Sequence, residues 1–523
     1  MKPQEESEIS QLPELFFGLV APVGVNLELV TDVLSDCLKG LDYNPILFRV
    51  TDLLQDINKN KIDKSEEKKS ILENYKRKII LANNFCKDHG NDALIKLTIS
   101  AIRSYRSQKR NEKSTKQNFD VNEIPDSDEH DEESPLPSTA YIIRQIKRVE
   151  EIELLRNLYG RQFILISAYT PVHDRRKRLT DLERKSLGGI GSAADAENNA
   201  IQIIQQDEKE SGDKFGQNVR NCFPLGDVFI DATNKIKCEK HLKRFIDLLF
   251  GNNQITPTHD EYGLYIAKSA SLRSSDLSRQ VGAAIFRDTG EVVSLGCNEV
   301  PKPGGGTYWS DDESDYRDFV LGHDPNEIKK KELLIDIIDR LKKENHFSST
   351  EFEEISSQEI SSQLLEDKNS SVIDSKLMDI IEFGRIIHAE MSAISDSARN
   401  GVSTRNTTLY CTTFPCHICA KHIVAAGIKR VVYLEPYPKS YATELHEDSI
   451  VVDGKSQYNE KVSFDAFIGI SPYRYRDLFE KGKRKHSSGN AIKWIDEKPR
   501  PIIGRFPSRY GKLEAKIVLQ LKL

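Results

Sequence analysis

Two short stretches hold the residues best suited to chemistry: His388-Ala389-Glu390 and, further along, Pro415-Cys416-His417-Ile418-Cys419. Cysteines spaced Cys-x-x-Cys lie one turn apart on a helix, so the sulfurs of Cys416 and Cys419 can point at one ion. A helix N-terminus and a metal both favour thiolate over thiol. Pro415 suits the start of such a helix, where its missing N–H has no helical partner. His388 would bring a third ligand from a second helix. Three protein ligands leave one tetrahedral position open, which separates a catalytic zinc from a structural one. Zinc held in that way lowers the pKa of water to about 7. Glu390, two residues past His388, is better placed beside that water than on the metal, where its carboxylate can move a proton. His417 and His422 share the helix with the cysteines and read as neighbours of the site or as surface residues. Cys297 and Cys411 read as core thiols.

Helices and strands must deliver these groups. Ile387–Asn400 and Pro415–Gly427 read as helices, with strands at Thr408–Thr412 and Val431–Leu434. Ahead of them, His259–Leu272 reads as a helix, and Val281–Phe286 and Val292–Cys297 as strands joined by a turn at Asp288–Gly290. Toward the N-terminus, a strand and a glycine-bearing loop precede a helix with Leu27, Val30, Val33, Leu34 and Leu38 at helical spacing. Ile46–Val50 reads as a buried strand, Tyr141–Leu158 as helix-like, Phe163–Ala168 and Val228–Ile230 as strands, and His241–Phe250 as a helix. This alternation predicts an α/β fold with a mostly parallel sheet.

The chain has 523 residues, 38% hydrophobic and 30% charged, more than one core usually organises. Two domains are expected, 1–251 and 252–523. The first carries a flexible surface insertion at about 104–139, basic and then acidic, with Asp126, Asp128, Glu129, Asp131, Glu132 and Glu133 crowded together. The second carries a Ser/Glu-rich insertion at about 343–376 and an extension after 439 that completes or covers the active site. A net charge of −6 speaks against a protein that coats nucleic acid. The longest apolar run, Phe16–Val25, is broken by Gly18, Pro22 and Gly24 and falls short of the roughly 18 residues that cross a bilayer. The polar start has no signal core, and eight cysteines are too few for a disulfide scaffold of this size. A cytoplasmic location is expected.

His-x-Glu followed by Pro-Cys-x-x-Cys is the signature of zinc-dependent deaminases, which exchange a ring amine for a carbonyl and release ammonia. The stretch SASLRSSDLSRQVGAAIFRDTGEVVSLGCNEVPKPGGGTYW from Ser269, continued to about Pro438, resembles deoxycytidylate deaminases. That resemblance implies that Asn298 contacts the sugar hydroxyl and that Arg273, Ser274 or Arg279 lie near the nucleotide phosphate. For the two arginines a solvated or structural role stays open. Over its whole length the chain resembles the anti-phage dCTP deaminase family. GLVAPVGVN near Gly18, AYIIRQIKRVEEIELLRNLYGRQF at Ala140–Phe163 and GDVFIDA at Gly226–Ala232 carry that likeness. It implies a P-loop kinase-like parallel sheet followed by a cytidine-deaminase-like three-layer α/β/α domain. It also implies zinc as cofactor, conversion of dCTP and dCMP to uracil nucleotides that starves phage replication, a homo-oligomer, and restraint by a small RNA. Two rival readings remain: a deaminase acting on single-stranded polynucleotide, and a non-catalytic sensor of nucleotide or RNA.

A phosphate-binding loop of the form G-x-x-x-x-G-K-[ST] survives here only in part. With Gly24 as its second glycine, Leu19 stands at the first, Val25 at the lysine and Asn26 at the hydroxyl. Gly18 and Gly24 still permit a tight turn at a helix N-terminus, but phosphoryl transfer lacks its charge-stabilising groups. Nucleotide sensing stays open, and a kinase-derived scaffold is the favoured reading. Two basic runs, Arg175–Arg178 and Lys481 with Lys483–Lys485, could bind phosphate or RNA, with solvated loops the favoured reading.

Overall fold

The computed structural model describes residues 12–58, 70–114, 135–186, 193–208, 216–344, 346, 355–367, 370–373, 375–437, 440–454, 461–494, 499–503 and 510–521. In chain order the first elements are β1 (Leu15–Val20), α1 (Leu27–Lys39), β2 (Asn44–Arg49), α2 (Val50–Asn58), α3 (Ile71–His89) and α4 (Ala93–Ser114). Then come β3 (Thr139–Arg144), α5 (Val149–Tyr159), β4 (Phe163–Tyr169), α6 (Val172–Ser186), α7 (Ala193–Glu208), β5 (Val228–Asp231) and α8 (Lys235–Leu249). The next stretch holds α9 (His259–Ser271), β6 (Gly282–Phe286), β7 (Val292–Cys297), α10 (Pro325–Lys343), α11 (Ser357–Glu366), α12 (Ala389–Arg399), β8 (Thr408–Thr413), α13 (His417–Ala425), β9 (Arg430–Glu435), β10 (Ile450–Val452) and β11 (Val462–Ala466). β12 (Gly469–Ile470) and α14 (Tyr510–Leu519) close the chain. Among the described residues no helix is long and apolar enough to cross a membrane.

The chain forms two compact units, Met1–Glu261 with Ile468–Leu523, and Tyr262–Phe467. The first is built on a sheet of order β12-β5-β4-β1-β3-β2, parallel except for β12. Its central strands are apolar on both faces because helices cover both. Leu15, Phe17 and Leu19 of β1 enter one core with residues of α1 and α8. Phe16 and Val20 enter another with residues of α4, α5 and α14. Gly18 lies inside β1 rather than in the turn expected of it: a Cβ there would meet the Ile146 side chain at 2.6 Å and the Phe163 ring at 2.9 Å. Gly24, at φ +92°, does make the turn. Asn26 caps α1, its side chain accepting from Leu29 N at 3.4 Å, and Val25 packs against the core.

Several expectations change here. Tyr141 belongs to β3, whose TAYIIR run pairs with β1 and β2, and the helix starts only at Val149. Strand β2 is the sheet's edge and half-exposed rather than buried, which suits Pro45. The supposed insertion begins as helix: α4 runs to Ser114, and the acidic cluster lies outside the described residues. Arg175–Arg178 sits on α6 rather than in a loop, with Arg175 buried. The second domain does not run to residue 523. From Ile468 onward the chain joins the first unit, where Ile470, Leu478 and Ile503 enter one core and Tyr510 and Leu521 the other. Arg474, buried beside Asp227 at 3.4 Å, donates to the Phe163 carbonyl.

The second unit has a sheet of order β10-β11-β9-β8-β6-β7, in which β6 runs antiparallel to both neighbours and the rest are parallel. One face carries α12 and α13, whose Ala389, Ala393, Ala420 and Ile423 share a core with Ala283, Leu409 and Val431. The other face takes α9, which passes over Gly282 and Tyr410. The sheet therefore lies between helices. The 343–376 stretch contributes α11, and Leu334, Ile338 and Ile360 form a small apolar cluster of their own.

Charge is also buried in the first unit. Arg106, 3% exposed, pairs with Glu14 at 2.9 Å and Glu514 at 2.6 Å, both carboxylates fully enclosed. Tyr141 and Tyr159 donate to these two glutamates at 2.8 and 2.7 Å. Removing the cation leaves two enclosed carboxylates uncompensated. Arg106→Ala should cost about 3–5 kcal/mol in urea unfolding, and a loss below about 1 kcal/mol, the range of an exposed pair, would contradict this account.

Candidate active site

The site is made by two helix starts on one sheet. Strand β7 carries Gly296, where a Cβ would stand 2.1 Å from the Ala389 carbonyl oxygen and 2.6 Å from Ala393 N. With no side chain at 296, the first turn of α12 can rest on the strand. Ile387 exchanges both backbone hydrogen bonds with Glu299 just beyond β7, so His388 enters at a fixed height, as the N-cap of α12. Strand β8 leads through Phe414, whose N–H bonds Glu435 O at 2.7 Å, to Cys416. Cysteine, not proline, opens this helix. Cys416 is the N-cap of α13, its sulfur accepting from Cys419 N at 3.4 Å, and Pro415 stands one residue earlier.

These two starts converge. His388 Nδ1 is 3.3 Å from both Cys416 Sγ and Cys419 Sγ, and the three donor atoms lie within 4.8 Å of one another. One nitrogen and two sulfurs at that spacing fit zinc, and three donors are the number a catalytic site provides. Glu390 is 4% exposed and its Oε2 lies 3.5 Å from Cys419 Sγ, beside the donor set rather than in it. The Ser440 hydroxyl donates to Pro415 O at 2.7 Å, a contact from the segment after 439.

The protonation pattern follows from this crowding. The Cys416 thiol is pushed down to about 4, first by its hydrogen bond with Cys419 and then by His388. Cys419 is pushed the other way by that same bond and by burial. The Cys416 contact raises His388 to about 9. Burial lifts Glu390 to about 7, aided by the charge on Cys416. Protons on such donors are what a metal cation displaces.

Around this centre the structure places the other sequence-predicted residues as follows. Asn298 donates through Nδ2 to Asp276 Oδ2 (2.8 Å) and Arg279 O (2.7 Å) and accepts from Val281 N (2.7 Å). Its amide thus holds the 276–279 turn against the end of β7. Ser274 is buried, its hydroxyl accepting from Asp276 N. Arg273 lies over the Trp309 ring at 3.9 Å. Arg279 is exposed and 5.4 Å from the Tyr437 ring centre. Gly18, Gly24, Val25 and Asn26 belong to the first unit and take no part in the metal group. Cys411 is fully buried and its thiol is raised by that burial, as expected of a core thiol. His422 is exposed, and His417 lies 3.6 Å from Glu382.

Sequence reasoning missed Glu299. Fully enclosed, it accepts from Ser275 N (2.9 Å) and the Ser275 hydroxyl (2.6 Å) through Oε2, and from Val300 N (2.9 Å) through Oε1. It ties the 274–280 loop to the backbone that carries His388. A glutamate directly after Asn298, ahead of Val300 and Pro301, was the available signal.

Residues 257–435 match the family described as the cytidine and deoxycytidylate deaminase zinc-binding region. This part of the chain is deaminase-like. Its cofactor is zinc, and His388, Cys416 and Cys419 form the group able to hold it. ComE operon protein 2 of Bacillus subtilis (strain 168) is 43% identical over 121 residues, 21% of this chain and 62% of that protein. The deoxycytidylate deaminase of Enterobacteria phage T2 is 52% identical over 54 residues, 10% of this chain and 29% of that protein. The chain thus spans less than two thirds of the length of these curated relatives. The solved dCMP deaminase of cyanophage S-TIM5, in apo form, covers 41% of this chain and 100% of its own at 15% identity, with a TM-score of 0.22.

Purified protein should carry about one zinc per chain by elemental analysis, and Cys416→Ala should retain less than about a tenth of it, since two donors remain of three. Full zinc occupancy in that variant, with helix content unchanged, would place the metal elsewhere.

Proposed function

We propose that this chain deaminates free deoxycytidine nucleotides hydrolytically, taking dCTP and dCMP to the corresponding deoxyuridine nucleotides. The observation that carries the reading is the placement of the enclosed Glu390 carboxylate, 3.5 Å from Cys419 Sγ, against a His/Cys/Cys group suited to a three-ligand zinc. When bound there, zinc supplies the Lewis acidity that makes water a nucleophile at neutral pH. His388, Cys416 and Cys419 hold the metal. Glu390 accepts the proton released by the attacking water and returns it to the ring nitrogen, and a further proton leaves with the amine as ammonia. Burial keeps bulk water from competing for those protons. Asn298, Arg273, Ser274 and Arg279 line the approach in this reading, with Asn298 at the sugar and the cations near the phosphate.

Matches to proteins named deoxycytidylate deaminases support a free nucleotide as substrate. The net charge of −6 weighs against the alternative of a polynucleotide substrate. The choice of dCTP, the depletion of cytosine nucleotides during phage infection, assembly into a homo-oligomer and control by a small RNA rest on the resemblance of the whole chain to anti-phage dCTP deaminases. An idle zinc site in a pure sensor would have no use for the proton-carrying Glu390.

Assays with dCTP, dCMP, cytidine and single-stranded DNA, read as ammonia and uracil product, separate these readings. Product is expected from dCTP and dCMP and none from DNA. Glu390→Ala should keep its zinc and lose about 10²–10⁴-fold in turnover. Near-normal turnover in that variant, or preference for DNA, would overturn the proposal.

A further inference from the structure

The first unit carries an open cavity of about 320 Å³ at the carboxyl ends of β1, β2 and β3. In its sheet β1 lies between β3 and β4, so the chain leaves β1 toward one side and later crosses from β3 to the other. The crevice outside such a reversal is where open α/β sheets take ligands. The volume lies at the lower end of the roughly 300–1,000 Å³ of small-molecule sites.

Five cationic side chains line it: Arg49, Lys78, Arg144, Lys147 and Arg148. Two are engaged. Lys147 Nζ bonds Asp207 Oδ1 at 2.6 Å and Ala21 O at 3.1 Å. Arg148 bonds Asn83 at 2.7 Å and lies 3.7 Å from Glu151. Arg49 and Arg144 are served differently. Both stand 3.9 Å from the same Glu28 carboxylate, and Arg49 is 3.9 Å from Asp52, distances too long for hydrogen bonds. The Arg144 side chain is 15% exposed, and its Nε is buried with no hydrogen-bond partner among the described residues. Burial and the neighbouring Arg49 lower the Arg144 pKa, so the two guanidiniums repel one another at the pocket. An anion between them would relieve both the repulsion and the orphaned N–H.

That anion would not sit on the Gly24 turn. Val23 N is already bonded by Asp207 Oδ2 at 2.6 Å, and Val23 O faces Arg175 Nη1 at 3.3 Å. A carboxylate of the protein thus occupies the Val23 N–H, the Val25 N–H bonds Pro22 O, and Val25 supplies no cation. The lining also includes the apolar side chains of Val50, Ile71, Ile79 and Leu94, a surface for a ring rather than for water.

We propose that this cavity binds a nucleoside phosphate, its phosphate held between Arg49, Lys78 and Arg144 and its base against the apolar wall, without phosphoryl transfer. This site is independent of the zinc centre. Calorimetry on the full-length protein with ATP, GTP, adenosine and inorganic triphosphate tests it. ATP or GTP should bind once per chain with no phosphate released. Arg144→Met, and separately the double variant Arg49→Ala/Lys78→Ala, should weaken that binding by at least about tenfold. If Arg144→Met fails to fold by far-ultraviolet dichroism, the double variant at half-buried and exposed positions decides. Several results would overturn the proposal: no nucleotide binding up to about 1 mM, unchanged affinity in the double variant, or phosphate release. Inorganic triphosphate binding as tightly as ATP would remove the role of the apolar wall and reduce the site to an anion pocket.

Discussion

The chemistry of this chain depends on one close approach. At Gly296 the backbone of β7 comes so near the first turn of α12 that even a methyl group would collide with the Ala389 carbonyl. That contact fixes how far His388 and Glu390 reach, because both belong to the turn pressed on the strand. The small side chains of Ala389 and Ala393 complete the fit and pack against Ala283 on the neighbouring strand. Cores tolerate little volume change, so the imidazole and the carboxylate inherit the rigidity of the sheet rather than of a loop.

The second half of the site comes from the parallel pair β8 and β9, which delivers Cys416 as a helix cap. Here the sulfur does what an oxygen usually does, accepting a backbone N–H at the helix start. The partial positive charge of that start favours the thiolate, and His388 does the same from the side. Structural capping and metal affinity therefore draw on the same atom. Glu299 adds a third constraint: its enclosed carboxylate holds the 274–280 loop while its backbone pairs with Ile387. The approach to the metal group and the metal group itself hang on adjacent residues.

How much of this was legible in the sequence differs by element. The convergence of His388, Cys416 and Cys419 with Glu390 beside them was legible, because their pattern is local and the cysteine spacing is that of a helix turn. The strands of the first sheet were legible where they are continuous apolar runs, as at Phe163. Tyr141–Arg144 misled because a short apolar run joined to a true helix shares its hydrophobic content, and periodicity cannot divide the two. Arg106 sits in a basic stretch that composition marks as solvated, yet its partners Glu14 and Glu514 lie at opposite ends of the chain. No local pattern announces such a pairing. The same holds for residues 468–523, whose apolar side chains reveal their place only once the first sheet exists to receive them. Gly18 shows a different failure: with Gly24 it suggested a tight turn, while the strand needed it for room. Arg49 and Arg144 each end a strand, a position that motif scanning does not weigh.

The central claim is a zinc ion held by one imidazole and two thiolates with a coordination position left for solvent. X-ray absorption at the zinc edge of the purified protein measures that donor set directly. The account predicts two sulfur scatterers at about 2.3 Å and nitrogen or oxygen scatterers at about 2.0–2.1 Å, four in all. A shell of four sulfurs, or one with no sulfur, would contradict it.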